Sequence, residues 1–341
     1  MSRRNKVSVA VVATALPLLA SAHHSRTNFA LDQTVELQGV ITEHGYRNPH
    51  VYLTLEVTND AGQTEEWLLE ANAVSTLRRA GWHGDTFSPG DQVTVLANPE
   101  REGGSNLVFV ETITKADGST YRSSGLPPGG RTESTEAAGS TDFSGVWQPD
   151  FASRDIAAGF RPAFHLPLTP AGRAVVQQFD AEDDPALDCI PESLPSTILP
   201  VFPVQFSRVG DDELHIWYEE FDGRRVVHLG LSEHPANVEP SLMGHSIGQI
   251  EGNVLNIETR HFEETVWGLG RGAPSSPEKV LVERYTLSDA GTQLDVEYWF
   301  EDPVYMTERV SVTGEMFLKP GYDMQEWDCD AGAARRHMSL E

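Results

Sequence analysis

The sequence predicts an all-β protein of two barrels, an N-terminal five-stranded one and a C-terminal antiparallel eight-stranded one. Three observations carry that prediction. Short runs of alternating apolar and polar residues recur along the chain, and turn residues separate them at close intervals. Between residues 119 and 141 large apolar side chains nearly vanish in favour of Ser, Thr, Gly and Pro. Such a composition cannot bury a core and reads as a flexible linker. A chain of 341 residues is long for one domain and suits two. The expected organisation is a signal peptide over 1–22, a first barrel over 23–118, the linker over 119–141 and a second barrel over 142–341.

In the first domain, Val35 to Glu43 alternates, and Val51, Leu53, Leu55 and Val57 alternate again. Asp60-Ala61-Gly62 marks a turn before a third strand at Glu66 to Glu70. Val74 to Ala80 reads as a helix. Ser88-Pro89-Gly90-Asp91 turns into Gln92 to Ala97, and Leu107 to Ile113 closes the set. Five short strands with one helix between the third and fourth is the order of an OB-like barrel. Many such barrels bind oligonucleotides through basic and aromatic faces. No basic face is visible here, so the fold does not bring that function with it.

The second domain opens on Gly145-Val146-Trp147. A short helix follows, with Thr169 as N-cap and Pro170 at its first position. Strand-like runs then come at 201–209, 213–219, 225–229, 246–250, 254–259, 280–287, 293–300 and 307–318. Gly210-Asp211-Asp212, Phe221-Asp222-Gly223 and Glu251-Gly252-Asn253 read as hairpin turns between neighbours. About eight antiparallel strands in such an order suit an up-and-down barrel.

The first residues predict export. Arg3, Arg4 and Lys6 precede an apolar run from Val7 to Ala20, and Ala20-Ser21-Ala22 is a small-x-small cleavage site. The run is too short to span a bilayer, and no later segment is a candidate membrane span. The formal net charge is −26, which disfavours nucleic acid and anionic lipid as partners. These features predict a periplasmic or secreted protein. Its two cysteines, Cys189 and Cys329, then read as one disulfide, which the loop-entropy argument credits with roughly 4–5 kcal/mol.

Two stretches bear resemblances. Ala22-His23-His24-Ser25, the following Val35-Glu36-Leu37-Gln38-Gly39-Val40-Ile41 and Asn48-Pro49-His50 are similar to an uncharacterised family of exported bacterial proteins. Its mature chains begin His-His-Ser and carry an Asn-Pro-His motif. Ser241-Leu242-Met243-Gly244-His245-Ser246, Glu283-Arg284-Tyr285 and Glu301-Asp302-Pro303 resemble another uncharacterised exported group, with β-barrel-like chains. Gly145-x-Trp147 also resembles the opening motif of lipocalins, in which the Trp closes the barrel base. That resemblance implies a lipocalin/calycin-like barrel, although the insertion at 160–200 departs from the pattern.

Cleavage after Ala22 gives His23 a free α-amine, which can chelate a metal together with the His23 ring. A third nitrogen from His24, His44 or His50 would complete a tetragonal N₃ set suited to Cu(II). A frayed terminus and a half-buried strand histidine are the plain alternative. The second candidate is the barrel interior. Trp147, Trp217, Tyr285 and Tyr298 are expected to line an apolar cavity for a small apolar or amphipathic ligand, with His245 as the first polar residue of choice. His215, Glu219, Arg225, His228, Glu283 and Arg284 share those strands, and alternation turns about half of them inward. A hydrogen-bonded structural role for His245 is the alternative. Asp180-Ala181-Glu182-Asp183-Asp184 suits calcium chemically but reads first as a solvated loop. No nucleophile elbow, zinc helix or phosphate loop is present. The sequence therefore predicts an exported binding protein. An isomerase, cyclase or hydrolase acting through His245 and a carboxylate, or a structural scaffold, are the competing readings.

Overall fold

A computed structural model describes residues 28–59, 61–101, 104–123, 142–150, 166–270 and 272–335. The expected signal peptide, His23, His24 and most of the expected linker lie outside the described residues. The chain is all-β in two closed barrels, as expected from the alternation.

The first barrel is built from β1 (Val35–Gly45), β2 (Tyr52–Thr58), β3 (Thr64–Glu70), β4 (Gln92–Pro99) and β5 (Leu107–Lys115), with the helix Val74–Arg79 between β3 and β4. The order β3-β2-β1-β4-β5 closes through a parallel β3–β5 pairing, which is the OB-type closure. Its core is mainly aliphatic: Ile41, Leu53, Leu55, Leu69, Val95 and Ile113 are fully buried. Gly39 permits the strong coiling of β1, because a Cβ there would sit 2.3 Å from the Glu56 carbonyl. One element differs from expectation. Thr120–Arg122 forms β6, paired with β5 in a stretch whose composition reads as linker. The turn at Gly118 (φ 88°) makes that hairpin, and Tyr121 packs on Trp82 and Phe87.

The second barrel runs β7 (Gly145–Pro149), β8 (Val204–Val209), β9 (Glu213–Tyr218), β10 (Gly223–His228), β11 (His245–Glu251), β12 (Val254–Arg260), β15 (Val280–Leu287), β16 (Gln293–Glu301) and β17 (Val310–Leu318). A hairpin of β13 (Thr265–Gly270) and β14 (Ala273–Ser275) is inserted before β15. The expected eight strands are thus nine, because the Gly145-Val146-Trp147 landmark is itself a strand. A closed ring with an odd number of strands cannot alternate throughout. The single parallel neighbour pair is β10–β11, joined by residues 229–244. Trp147, Phe206, Leu255, Tyr285, Val296 and Met316 fill the interior, and Leu194, Ile198 and Phe262 extend the same core.

Cys189 and Cys329 form the expected disulfide, with Cα atoms 5.9 Å apart across 140 residues of chain. It anchors a C-terminal strap that reaches the first barrel. The Asn48 amide donates to the Asp328 carbonyl and its carbonyl accepts from Asp330, both at 3.0 Å. Asn48 Oδ1 accepts from the Val74 amide at the start of the first helix, also at 3.0 Å. Asn48 is therefore fully engaged as a structural joint between strap, loop and helix. Tyr322 of the strap hydrogen-bonds the buried Glu219 while accepting from Arg79 of the first barrel. Among the described residues no helix is long and apolar enough to cross a membrane.

Candidate functional site

Strand alternation sends Gly223, Arg225 and Val227 of β10 inward, and Leu281, Glu283, Tyr285 and Leu287 of β15. One strand thus carries a cation in its apolar phase and the other an anion. Arg225 makes a two-pronged pair with Glu283, both bonds 2.7 Å, and the two side chains are 1% and 0% exposed. To reach β15 the guanidinium crosses β11 and β12, where the register partners Ser246 and Thr259 are short enough to pass beneath it. Tyr285 donates to Glu283 at 2.6 Å. Removing two charges from water costs several kcal/mol each, and only such bidentate geometry offsets it. Burial opposes the Arg225 charge, but the Glu283 carboxylate prevails and holds the guanidinium pKa above its ordinary value. Burial also raises the Tyr218 phenol, which stays neutral. The Arg225 guanidinium also lies 5.8 Å from the centre of the Tyr218 ring, and the two side chains are hydrogen-bonding neighbours in the core.

β10 and β11 pair at only two positions, Val227↔Ser246 and His228↔Ile247. Beyond them the wall parts into a groove of about 570 Å³, with Arg225 at its floor and Trp217, Arg224, His215, His228 and His245 around it. The Arg224 guanidinium lies 4.2 Å above the Trp217 ring, a stacked cation–π contact. The Trp217 indole donates to Asp222 at 3.1 Å. Gly244 closes the far side in a left-handed conformation (φ 64°), and a Cβ there would meet the Arg260 carbonyl at 2.7 Å. This glycine beside His245 serves the turn and the close approach of β12.

Next to the groove stand four histidines. His228 stacks on His245 with centroids 4.9 Å apart, and His234 and His261 stand edge-on to it at 5.1 and 6.3 Å. His234 Nδ1 and His245 Nδ1 are 2.8 Å apart, so one donates to the other. Desolvation lowers the His245 pKa below 6.5, and His228, His234 and His261 push it the same way. Desolvation also lowers His234; Glu258 opposes the shift, while His261 and Arg260 add to it. Among the described residues no group of three or more His, Cys, Asp or Glu is arranged to hold a metal ion.

The expected ligand-binding residues divide between two places. Trp217 and His245 border the groove. Trp147, Tyr285 and Tyr298 lie in the core, 0%, 1% and 6% exposed, with the Trp147 indole donating to the Phe143 carbonyl. Arg284 faces outward, opposite Glu283, as adjacency requires. Glu219 serves the junction with the first barrel. In the acidic loop, Asp180 and Asp184 accept backbone N–H bonds at the starts of short turns. His44 is packed between Tyr46 and Phe87, bonded to the Phe87 carbonyl, and its pKa is lowered by burial. His50 is bonded through Nδ1 to Glu70, which also accepts from Tyr52 at 3.2 Å. His234 and His261 escape sequence reasoning, since both lie outside regular strands. The Arg225–Glu283 pairing was legible in principle: each residue breaks an apolar phase, with opposite charge.

Residues 10–108 match the model of a family of unknown function (DUF6152). The match runs through β1–β4 into the start of β5, and agrees with the resemblance of this part of the chain to an uncharacterised family. No curated protein matches the chain.

Proposed function

We propose that the protein is an exported binding protein whose small amphipathic ligand lies in the groove at the β10–β11 seam. The observation that carries this reading is the groove of about 570 Å³ itself, edged by the Arg224–Trp217 stack. A flat aromatic face beside the exposed Arg224 guanidinium suits a ligand with an apolar body and an anionic end. The enzyme reading needs an acid beside His245, whereas its ring bonds His234 and stacks on His228. The test is titration with anilinonaphthalene sulfonate at neutral pH, with native mass spectrometry of protein exported by its own host. The expected result is a retained small molecule, and dye affinity at least about tenfold weaker in Trp217→Ala and Arg224→Ala. Dye affinity equal in all three proteins would overturn the reading.

A second reading concerns copper. The Glu70 carboxylate on His50 Nδ1 fixes the ring and its tautomer, so that Nε2 carries the lone pair. A carboxylate bonded to the far ring nitrogen is what orients a metal-ligating histidine. His50 then supplies one nitrogen and the His23 amine and ring the other two, with His24 as the alternative donor. Cu(II) titration of processed protein tests it. One residue added before His23 should abolish tight binding, and Glu70→Gln should weaken it about 10–100-fold. Equal, tight affinity with and without the extension would sink the copper site.

A further inference from the structure

Residues 230–240 of the β10–β11 connection are almost wholly exposed. Among the described residues they donate no backbone hydrogen bond. The His234 side chain is 8% exposed, and Val238 is half-buried. Among the described residues the segment's ring and ionic contacts with the barrel are those of the His234 imidazole, inserted among His245, His261 and the Glu258 carboxylate. After it, the chain is pinned again: the Ser241 amide donates to the His261 carbonyl, and Ser193 donates to the Leu242 carbonyl.

We infer that His234 is one half of a proton-sensitive latch with His245, which holds the 230–240 strap against the barrel until both rings are charged and releases it in acid. The 2.8 Å contact needs one Nδ1–H and one bare Nδ1. One added proton leaves an imidazolium–imidazole bond, but when both rings are charged two Nδ1–H groups face each other, within a cluster that already contains His228 and His261. The charged groups facing the cluster are few. Glu258 on β12 lies 3.4 Å from His234 Nε2 and favours the charged ring, while Arg260 on the same strand counters it. On β9, Glu213 lies 3.9 Å from His228 but is itself bonded to His215 at 2.9 Å. The Asp212 carboxylate lies beneath Gly230 at the root of the strap, and its backbone carbonyl accepts from the Leu229 amide. No carboxylate is bonded to His245, so an added proton there has no counter-charge.

The direction follows from linkage. The closed cluster depresses the pKa of both His234 and His245 below 6.5. It therefore binds protons less well than the open strap, is fully favoured above 6.5, and loses that advantage as pH falls below. Release would also loosen the groove, because His228 and His245 border both. That consequence rests on the ligand-binding reading above; the latch itself does not.

A nitroxide on Asn237→Cys, with the Cys189–Cys329 disulfide intact, reads the strap without any ligand. Its spectrum should be immobilised at about pH 7.5 and dominated by a mobile component at about pH 5, with a midpoint below the ordinary histidine value. A label at the exposed Asp295→Cys on β16 should not change. His234→Gln should be mobile at both pH values, and His245→Gln should behave alike. An immobile strap at both pH values in the otherwise unaltered protein overturns the latch, even where a histidine variant fails to fold. So does a pH transition that persists in His234→Gln. Dye affinity at neutral pH tests the groove separately.

Discussion

The first barrel closes five strands on branched aliphatic side chains, whereas the second closes nine around aromatic rings and a buried ion pair. The difference follows from geometry. Barrel width grows with strand number, so Leu, Ile and Val suffice at five strands. At nine the centre is beyond their reach, and Tyr285, Phe206 and the long Arg225–Glu283 bridge fill it. The wider ring has a second consequence. Its odd count imposes the parallel β10–β11 seam, and the groove opens where that pairing ends.

The sharpest way to break the comparison is to remove one charge of the pair. Glu283→Leu should destabilise the second barrel by about 3–5 kcal/mol, because Arg225 is left charged and dry. Arg225→Met combined with Glu283→Leu should recover most of that loss. Urea unfolding followed by aromatic circular dichroism measures both. A double variant as unstable as the single would mean that the bridge is more than a filler of space.

In the first barrel the matching experiment is Leu53→Ala, a fully buried aliphatic position. Cavity formation should cost about 2–5 kcal/mol. If the barrels are separate cores, only the transition of the first should move. Cys329→Ser probes what joins them. Its loss should cost about 2–4 kcal/mol in the second barrel and free the strap at Asn48, which calorimetry would register as two transitions drawn further apart. Transitions that stay together would show that the strap does not depend on the disulfide.

Both barrels were legible in the sequence because inward and outward residues alternate so regularly, as in Val51, Leu53 and Leu55 or Leu281, Glu283 and Tyr285. The OB-type order followed from a single helix placed between two strand pairs. What composition obscured was β6, whose Thr120-Tyr121-Arg122 looks like linker until Tyr121 meets Phe87. The ninth strand was hidden in the same way, being only Gly145–Pro149. The site was half legible. Trp217 and His245 were singled out for aromatic surface and a histidine beside glycine, and both border the groove. Their neighbour His234 had no signal, since its place depends on a connection whose path no periodicity records. Trp147 and Tyr285 lie in the core, and an inward aromatic on a barrel strand reads alike whether it lines a cavity or fills one.

The smallest expected effect lies at the junction of the barrels. Arg79 of the first donates to Tyr322 at 2.5 Å and lies 3.6 Å from the Glu219 carboxylate, which is wholly buried. Burial raises the Glu219 pKa, while Tyr322, Gln325 and Arg79 pull it back. Arg79→Met should therefore cost about 1 kcal/mol at neutral pH, modest because the guanidinium is still 28% exposed. The sign of its pH dependence is fixed. An acid whose folded pKa exceeds its unfolded value of 4.5 carries its burial cost while ionised, and loses that cost as pH falls through the folded pKa. Without Arg79 the folded pKa rises further, so the difference between variant and parent should shrink on acidification towards about pH 5. Thermal unfolding of both proteins over that range measures it. A difference that grows in acid would mean that Arg79 stabilises the junction by packing on Tyr322, and that Glu219 is held by the strap alone.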